Sequence, residues 1–177
     1  MKNILIVSGH TDLSDSVANK KILDILTAQL PQSRQVHLDK LYPDFVIDVR
    51  AEQEKLIWAD IVVLQFPVFW FSAPSILHRW MEQTFLHGFS HGSAGDKLRG
   101  KKMVISCTSG TPAEALDWDA ILQFLRATAQ FTGMEYMGTV VTGDVSYALR
   151  QDTELLKEIN RKAAEHAARL EEILKQC

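Results

Sequence analysis

Five short apolar runs limit how this chain can fold: "NILIV" (3–7), "QVHL" (35–38), "DIVVLQF" (60–66), "KMVISC" (102–107) and "YMGTVVT" (136–142). Each holds four to seven residues, partly β-branched, and most are continuous rather than alternating. A strand with one wet face alternates apolar and polar residues, whereas a strand covered on both faces by helices reads as an unbroken apolar run. The stretches between the runs have helical periodicity. Ile22, Leu23, Leu26 and Leu30 share one side of a first helix, and Ile159, Ala163, Ala167, Leu170 and Ile173 share one side of the last. Asp152 or Thr153 can cap that last helix, and Glu154 places an acid in its first turn, where the helix dipole favours it. Five strands alternating with five helices predict an α/β fold, a parallel sheet with helices on both faces.

A chain of 177 residues without repeats, low-complexity tracts or linkers reads as one domain, 1–177. The strand count fits the order 2-1-3-4-5 better than a six-stranded dinucleotide fold. In such a sheet ligands bind beyond the carboxyl ends of the strands, beside the point where the strand order reverses. The loops after strands one, three and four are therefore the ones to read for function. Nineteen Lys and Arg against 22 Asp and Glu leave a net charge of -3, too even for nucleic acid to be the main partner. The first residues, "MKNILIVSGH", have too short an apolar run and no cleavage site for a signal peptide, and no stretch reaches the length of a bilayer span. Cys107 and Cys177 have no CxxC spacing, so the reducing cytoplasm is the expected location. Cys107 reads as a small core residue and Cys177 as a solvated terminus.

The loop after strand one, "SGHTDLSDSVANKK", holds Ser8, Gly9, His10, Thr11, Ser14 and Ser16 just before a helix. Hydroxyls and free backbone N–H groups at a helix start suit a phosphate, and ordinary N-capping by Ser14 or Ser16 explains them equally well. No GxGxxG is present, which disfavours a dinucleotide pyrophosphate. After strand three comes "PVFWFSAP". Pro67 ends the strand, and Pro74 sits near the first turn of the next helix, where its missing N–H costs little. Between them Phe69, Trp70 and Phe71 cannot all face one core, because neighbours in extended chain point opposite ways. Plugging the end of the sheet is one role for them; stacking on a flat ligand at the switch point is the favoured one. After strand four, Thr108, Ser109, Gly110 and Thr111 precede Pro112, and their short side chains let a flat ligand approach the backbone.

Two other patterns carry less. Gly95, Gly100 and Lys101 match part of a P-loop, but Lys102 replaces the required hydroxyl residue and the segment leads into a strand, so it reads as a basic solvated turn. His87 and His91 are four apart, each before a glycine and with no carboxylate or cysteine beside them, so no metal is expected. In the helix after strand three, Ile76, Leu77, Trp80, Met81 and Phe85 read as core or subunit contact.

Together, "LIVSGH…SDSVANK", "LYPDFVID…EQEKLIWADIVVLQFPVFWFSAPSILHRWMEQTFLHGFSHG" and "LRGKKMVISCTSG" resemble the flavodoxin-like NAD(P)H quinone reductases. That group includes DT-diaphorase, modulator of drug activity B and the ancillary oxidoreductases of glutathione-regulated potassium efflux. The resemblance runs through most of residues 3–110, and "LYPDF…D…EQ" (41–53) is most similar to the efflux-ancillary branch. It implies a flavodoxin-like fold and a noncovalent flavin, FMN or alternatively FAD, with the short chain favouring FMN. It also implies NAD(P)H as co-substrate and a homodimer with each flavin near the interface. Carried over by position, His10, Ser16 and Val17 would bind the cofactor, His10 and Ser16 at its phosphate. Pro67, Val68, Phe69, Trp70 and Phe71 would lie along the isoalloxazine, partly through backbone N–H groups. Thr108, Ser109 and Gly110 would bind its pyrimidine end.

The chain departs from this group in two places. Thr111 and Pro112 follow Gly110 at once, where relatives continue with a second glycine and a segment carrying an aromatic and a histidine. His91 stands where relatives tend to have a tyrosine lining the partner's pocket. No acid–base side chain is assigned to catalysis, since a flavin carries the hydride itself; Trp70 and Phe71 would shape the slot above it. The resemblance implies two-electron, ping-pong reduction of quinones or similar flat acceptors. A second reading is a regulatory subunit of a membrane potassium-efflux partner, stationed at the inner face of the membrane. A one-electron carrier ranks last, because such carriers are strongly acidic and this chain is nearly balanced.

Overall fold

In the computed structural model, which describes residues 2–177, five parallel strands form one sheet. They are β1 (Ile4–Ser8), β2 (Arg34–His37), β3 (Ile61–Pro67), β4 (Lys102–Thr108) and β5 (Glu135–Thr142). The order is β2-β1-β3-β4-β5, as the strand count predicts, so the reversal lies between β1 and β3. The helices are α1 (Ala18–Gln29), α2 (Leu38–Leu41), α3 (Val49–Trp58), α4 (Ser75–Thr84), α5 (Trp118–Thr132) and α6 (Thr153–Gln176). The sixth is the single turn α2, too short for any periodicity to reveal. Of the two candidate caps of α6, Asp152 takes the role and accepts from the N–H groups of Glu154 and Leu155 at 2.9 and 3.1 Å.

The sheet separates two apolar layers. Leu5, Val7, Val62, Leu64, Met103 and Ile105 pack with Leu56, Leu77, Trp80 and Leu125 of α3, α4 and α5. Ile4, Ile6, Val63, Val104 and Val140 pack with Ile22 and Leu26 of α1 and Ala163, Ala167 and Leu170 of α6. On this second face the apolar layers stop one residue pair before the carboxyl ends. There Ser8 pairs with Gln65 and Gln65 with Ser106 across three strands, all three buried.

Between α2 and α4 a carboxylate is fully enclosed. Glu52 of α3 has no exposed surface and accepts from Tyr42 Oη at 2.6 Å, from Trp80 Nε1 at 2.9 Å and from Lys55 Nζ. Burial and then this bond push the Tyr42 hydroxyl above its ordinary pKa. Two minor expectations need correction. Lys101 is not simply solvated: its ammonium donates to the carbonyls of Ile57 and Ala59 past the end of α3. Cys177 is half-buried, with its carbonyl accepting from Lys102 Nζ at 2.7 Å. Cys107 is a buried core residue, and burial pushes its thiol pKa up. No helix among the described residues is long and apolar enough to cross a membrane.

Candidate functional site

The loops after β1, β3 and β4 converge on one cleft of about 350 Å³ beside the strand-order reversal. His10, Ser16, Val17, Pro67, Val68, Phe69, Thr108, Ser109 and Gly110 all line it. Two of the eleven residues expected at the cofactor, Trp70 and Phe71, lie outside its walls, and their rings are 95% and 68% exposed. Five further contributors were not expected. Asp12 and Asp15 come from the first loop, Asn19 from α1, and Val145 and Ser146 from the loop after β5, a strand end not singled out for function.

The first loop approaches α4 so closely that a Cβ on Gly9 would lie 2.8 Å from Leu77 Cβ, which explains glycine there. Asp12 accepts from the N–H of Ser14 and caps the turn Leu13–Asp15. Asp15 pairs with Arg150, so neither carboxylate faces the cleft without a counterpart. His10 Nδ1 accepts from the Asp12 N–H at 3.1 Å, which leaves Nε2 as the protonated nitrogen. Burial holds its pKa below the ordinary value, although Asp39, Asp12 and Asp15 pull the other way. Ser16, not Ser14, caps α1: its Oγ accepts from the N–H of Asn19 at 3.2 Å and from Asn19 Nδ2 at 3.4 Å. Capping and ligand binding, alternatives from the residues alone, are compatible here. A hydroxyl that accepts twice still has its own proton to donate, and the N–H groups of the first helical turn have no partner within the helix.

The third loop is a tight turn. Phe69 and Ser72 exchange both backbone hydrogen bonds, at 3.0 and 3.1 Å, around Trp70 and Phe71. Those two central residues have φ of 49° and 60°, the pairing that defines a type I′ turn. Such turns favour Asn-Gly, because a Cβ in the left-handed region costs about 1–2 kcal/mol per residue. Here two aromatics take that conformation. The expectation that several backbone N–H groups of this loop reach a ligand is narrowed. Val68 N–H is tied to Thr108 O at 2.7 Å, Phe69 N–H to Ser72 O, and Pro67 has none, so the free donors are those of Trp70 and Phe71. Phe69 turns back to the cleft, where its ring and that of His10 meet edge to face with centroids 6.1 Å apart. The fourth loop is stitched to the fifth by Ser109 N–H to Thr142 O and Val145 N–H to Ser109 O, at 2.9 and 3.1 Å.

Beneath the cleft floor runs a buried polar row. Gln65 Nε2 donates to Asn19 Oδ1 at 2.7 Å, and Ser106 Oγ to Gln65 Oε1. Beyond Ser106 lies His166 of α6, wholly buried between Ser106 Oγ (2.7 Å) and Thr142 Oγ1 (2.9 Å). The signal for this row was present in the sequence: Gln65 and Ser106 are polar residues inside otherwise apolar strands. Burial, with Arg169 nearby, lowers the His166 pKa from 6.5 to about 3. Between those values the unfolded chain binds a proton that the folded chain refuses, so stability rises with pH across the window and falls as pH drops from 6.5. The loss is about 1.4 kcal/mol per pH unit at most. His166→Gln should flatten this part of the profile, as read from urea midpoints between pH 7 and pH 4.

A broader, open depression of about 640 Å³ lies over the end of β5 and α6, lined by Thr142, Arg161, Lys162 and Arg169 among others. It meets the loop after β4 at Ala113 and Glu114 but touches neither the loop after β1 nor that after β3. The smaller cleft is the candidate ligand site, because the loops after β1, β3 and β4 all converge on it. His87 and His91 stack edge to face at 5.6 Å, and among the described residues no group of three metal-ligating side chains is assembled.

Fold and cleft together define a protein of flavodoxin-like architecture, and the sequence agrees: residues 2–167 match the family described as having a flavodoxin-like fold, so the chain belongs to that family. It is similar to the glutathione-regulated potassium-efflux system ancillary protein KefF of Enterobacter sp. (strain 638), 36% identical over 140 residues, covering 76% of this chain and 79% of the relative. Among solved structures it is similar to general stress protein 14 of Treponema denticola in complex with FMN. That match has a TM-score of 0.84 and 25% identity, covering 98% and 99% of the two chains. An NADPH-quinone reductase from P. pentosaceus shares the fold, with a TM-score of 0.70 and 22% identity over 92% and 98% of the chains.

Proposed function

We propose that this chain is an FMN-dependent NAD(P)H oxidoreductase that reduces quinones or similar flat acceptors. The observation that carries the reading is the convergence of the three loops on one cleft at the strand-order reversal, with unused donors at both ends. Bound there, FMN would supply two-electron hydride chemistry, taking a hydride from NAD(P)H and passing it to the acceptor in alternation. The residues fit such a group. The Ser16 hydroxyl, the first N–H groups of α1 and the neutral His10 imidazole would hold the phosphate by donation. Thr108, Ser109 and Gly110 would hold the pyrimidine end. Pro67, Val68 and Phe69 would line the ring, with the N–H groups of Trp70 and Phe71 reaching its edge. FMN is favoured over FAD because general stress protein 14, similar over nearly the whole chain, is described in complex with FMN.

The exposed rings of Trp70 and Phe71 favour a homodimer in which a second copy closes the slot above the flavin, since apolar surface of this size gains by being covered. Two free thiols favour the cytoplasm. The purified protein is expected to be yellow and to release one FMN per chain, identified by mass; a colourless chain that also refuses added FMN would overturn the reading. The similarity to the efflux ancillary protein favours a second role as a regulatory subunit of a membrane potassium transporter. Co-purification with such a transporter would support that role, and its absence from a detergent extract containing one would count against it.

A further inference from the structure

The polar row under the cleft has a direction, and one residue at the surface sets it. Arg169 of α6 is exposed, and its guanidinium donates to Val141 O and to Thr142 Oγ1, both at 2.8 Å. A guanidinium has no acceptor, so Thr142 Oγ1 must accept there. The proton of Thr142 then has one acceptor among the described residues, His166 Nδ1 at 2.9 Å. A neutral imidazole that accepts at Nδ1 carries its proton at Nε2, which must therefore donate to Ser106 Oγ. Ser106 in turn gives its own proton to Gln65 Oε1. With its oxygen so occupied, Gln65 presents its amide nitrogen to Asn19 Oδ1. Asn19 is thereby turned with its NH2 group towards Ser16 Oγ at 3.4 Å and Thr108 Oγ1 at 3.0 Å, and its Oδ1 also lies 3.2 Å from Thr108 Oγ1, within reach of that hydroxyl's proton.

The last step reaches the ligand. Ser16 and Thr108 both line the cleft. Ser16 accepts from Asn19 twice and keeps its own proton for the cleft, whereas Thr108 has Asn19 Oδ1 as an acceptor for its proton. If the row ran the other way, Asn19 would present its oxygen to Ser16, whose proton would turn inward, and at Ser16 the cleft would offer a lone pair to an anionic ligand. The reversed row would also leave the buried Thr142 proton without an acceptor, a cost the observed direction avoids.

We propose that His166 is a positioning residue, the pivot of a one-way hydrogen-bond relay from Arg169 that makes Ser16 a donor to the ligand in the cleft. The relay does not conduct protons, since its outer end is a guanidinium that does not give its proton up. The inference rests on the flavin reading for the identity of the ligand, but not for the direction of the row.

Two measurements separate the two. In histidine-15N-labelled protein, the His166 resonances should report the Nε2–H tautomer from pH 7 down to about pH 4. An Nδ1–H tautomer would overturn the relay whatever the cleft binds. The second measurement is titration of the apoprotein with FMN, followed by quenching of flavin fluorescence. His166→Leu, which can neither accept nor donate, should weaken FMN binding about tenfold or more, and Arg169→Met about threefold to tenfold. His166→Gln, whose amide can accept from Thr142 and donate to Ser106, should stay within about twofold of wild type. Arg169 is at the surface, so its variant remains informative if His166→Leu fails to fold. Wild-type affinity in both Arg169→Met and His166→Leu would overturn the proposal. If the wild-type chain takes no FMN, the flavin reading falls, and the tautomer alone decides the relay.

Discussion

Glu52→Ala is expected to destabilise the fold by about 3 kcal/mol or more. The carboxylate has no exposed surface and is the shared acceptor for the Tyr42 hydroxyl, the Trp80 indole and the Lys55 ammonium. Removing it leaves two buried donors without a partner, at about 1–3 kcal/mol each, and empties the space between α2, α3 and α4. Lys55 is partly exposed and can turn to water, so its share of the loss is small. Glu52→Gln is the informative companion. It fills the volume and keeps one accepting oxygen, but it turns an NH2 group towards a donor, and it should fall between wild type and alanine. With a urea slope of about 2 kcal/mol per molar, the alanine variant should shift the midpoint down by about 1.5 M. An unchanged midpoint would show that the enclosure adds nothing.

The same residues change what one part of the family resemblance means. "LYPDF…D…EQ" is the stretch that points towards the efflux-ancillary branch, and a partner-binding role would be its natural explanation. In the fold, Tyr42 and Glu52 belong to the buried clamp, and Asp48 caps α3 by accepting from the Ala51 N–H at 3.0 Å. Much of the motif is therefore required by this way of joining β2 to α3. The large apolar residues of that segment that remain at the surface, Leu41, Phe45 and Val46, are the ones a partner could cover.

How far the sequence disclosed the site depends on which physical signal each residue leaves. Burial on both faces leaves an unbroken apolar run, so the strands, their order and the loops at the reversal were all legible, and nine of the eleven expected cofactor residues line one cleft. Single polar residues inside such runs carry a weaker signal. Gln65 and Ser106 look like breaks in an apolar pattern until the register places them side by side and Asn19 and His166 close over them. The loop after β5 left no mark, because Val145 and Ser146 reach the cleft through backbone stitching to Ser109 rather than through a motif. Backbone conformation was hidden most completely. A type I′ turn announces itself by Asn-Gly, and Trp70-Phe71 is the opposite of that signature.

That mismatch yields the prediction with the largest expected effect on activity. Replacing Trp70 by Asn and Phe71 by Gly gives the turn the residues its dihedrals favour, and relief of the left-handed strain should raise stability by about 1–3 kcal/mol. If the rings did nothing, this would be an improvement without cost. Instead they are held out at 95% and 68% exposure by a backbone that resists the arrangement. Strain of that kind persists where function maintains it. The double variant should keep the donors of the first and fourth loops and the two free N–H groups of the turn, so FMN should still bind, more weakly by about tenfold at most. On the proposed function, the slot for nicotinamide and acceptor would lose its walls, and kcat/KM with a quinone should fall at least about tenfold, as loss of one or two aromatic contacts implies. Steady-state kinetics on the FMN-saturated protein, beside a urea titration, decides the matter. A more stable variant with undiminished turnover would show the rings to be irrelevant to the reaction. A variant that is no more stable would show instead that the turn is not strained.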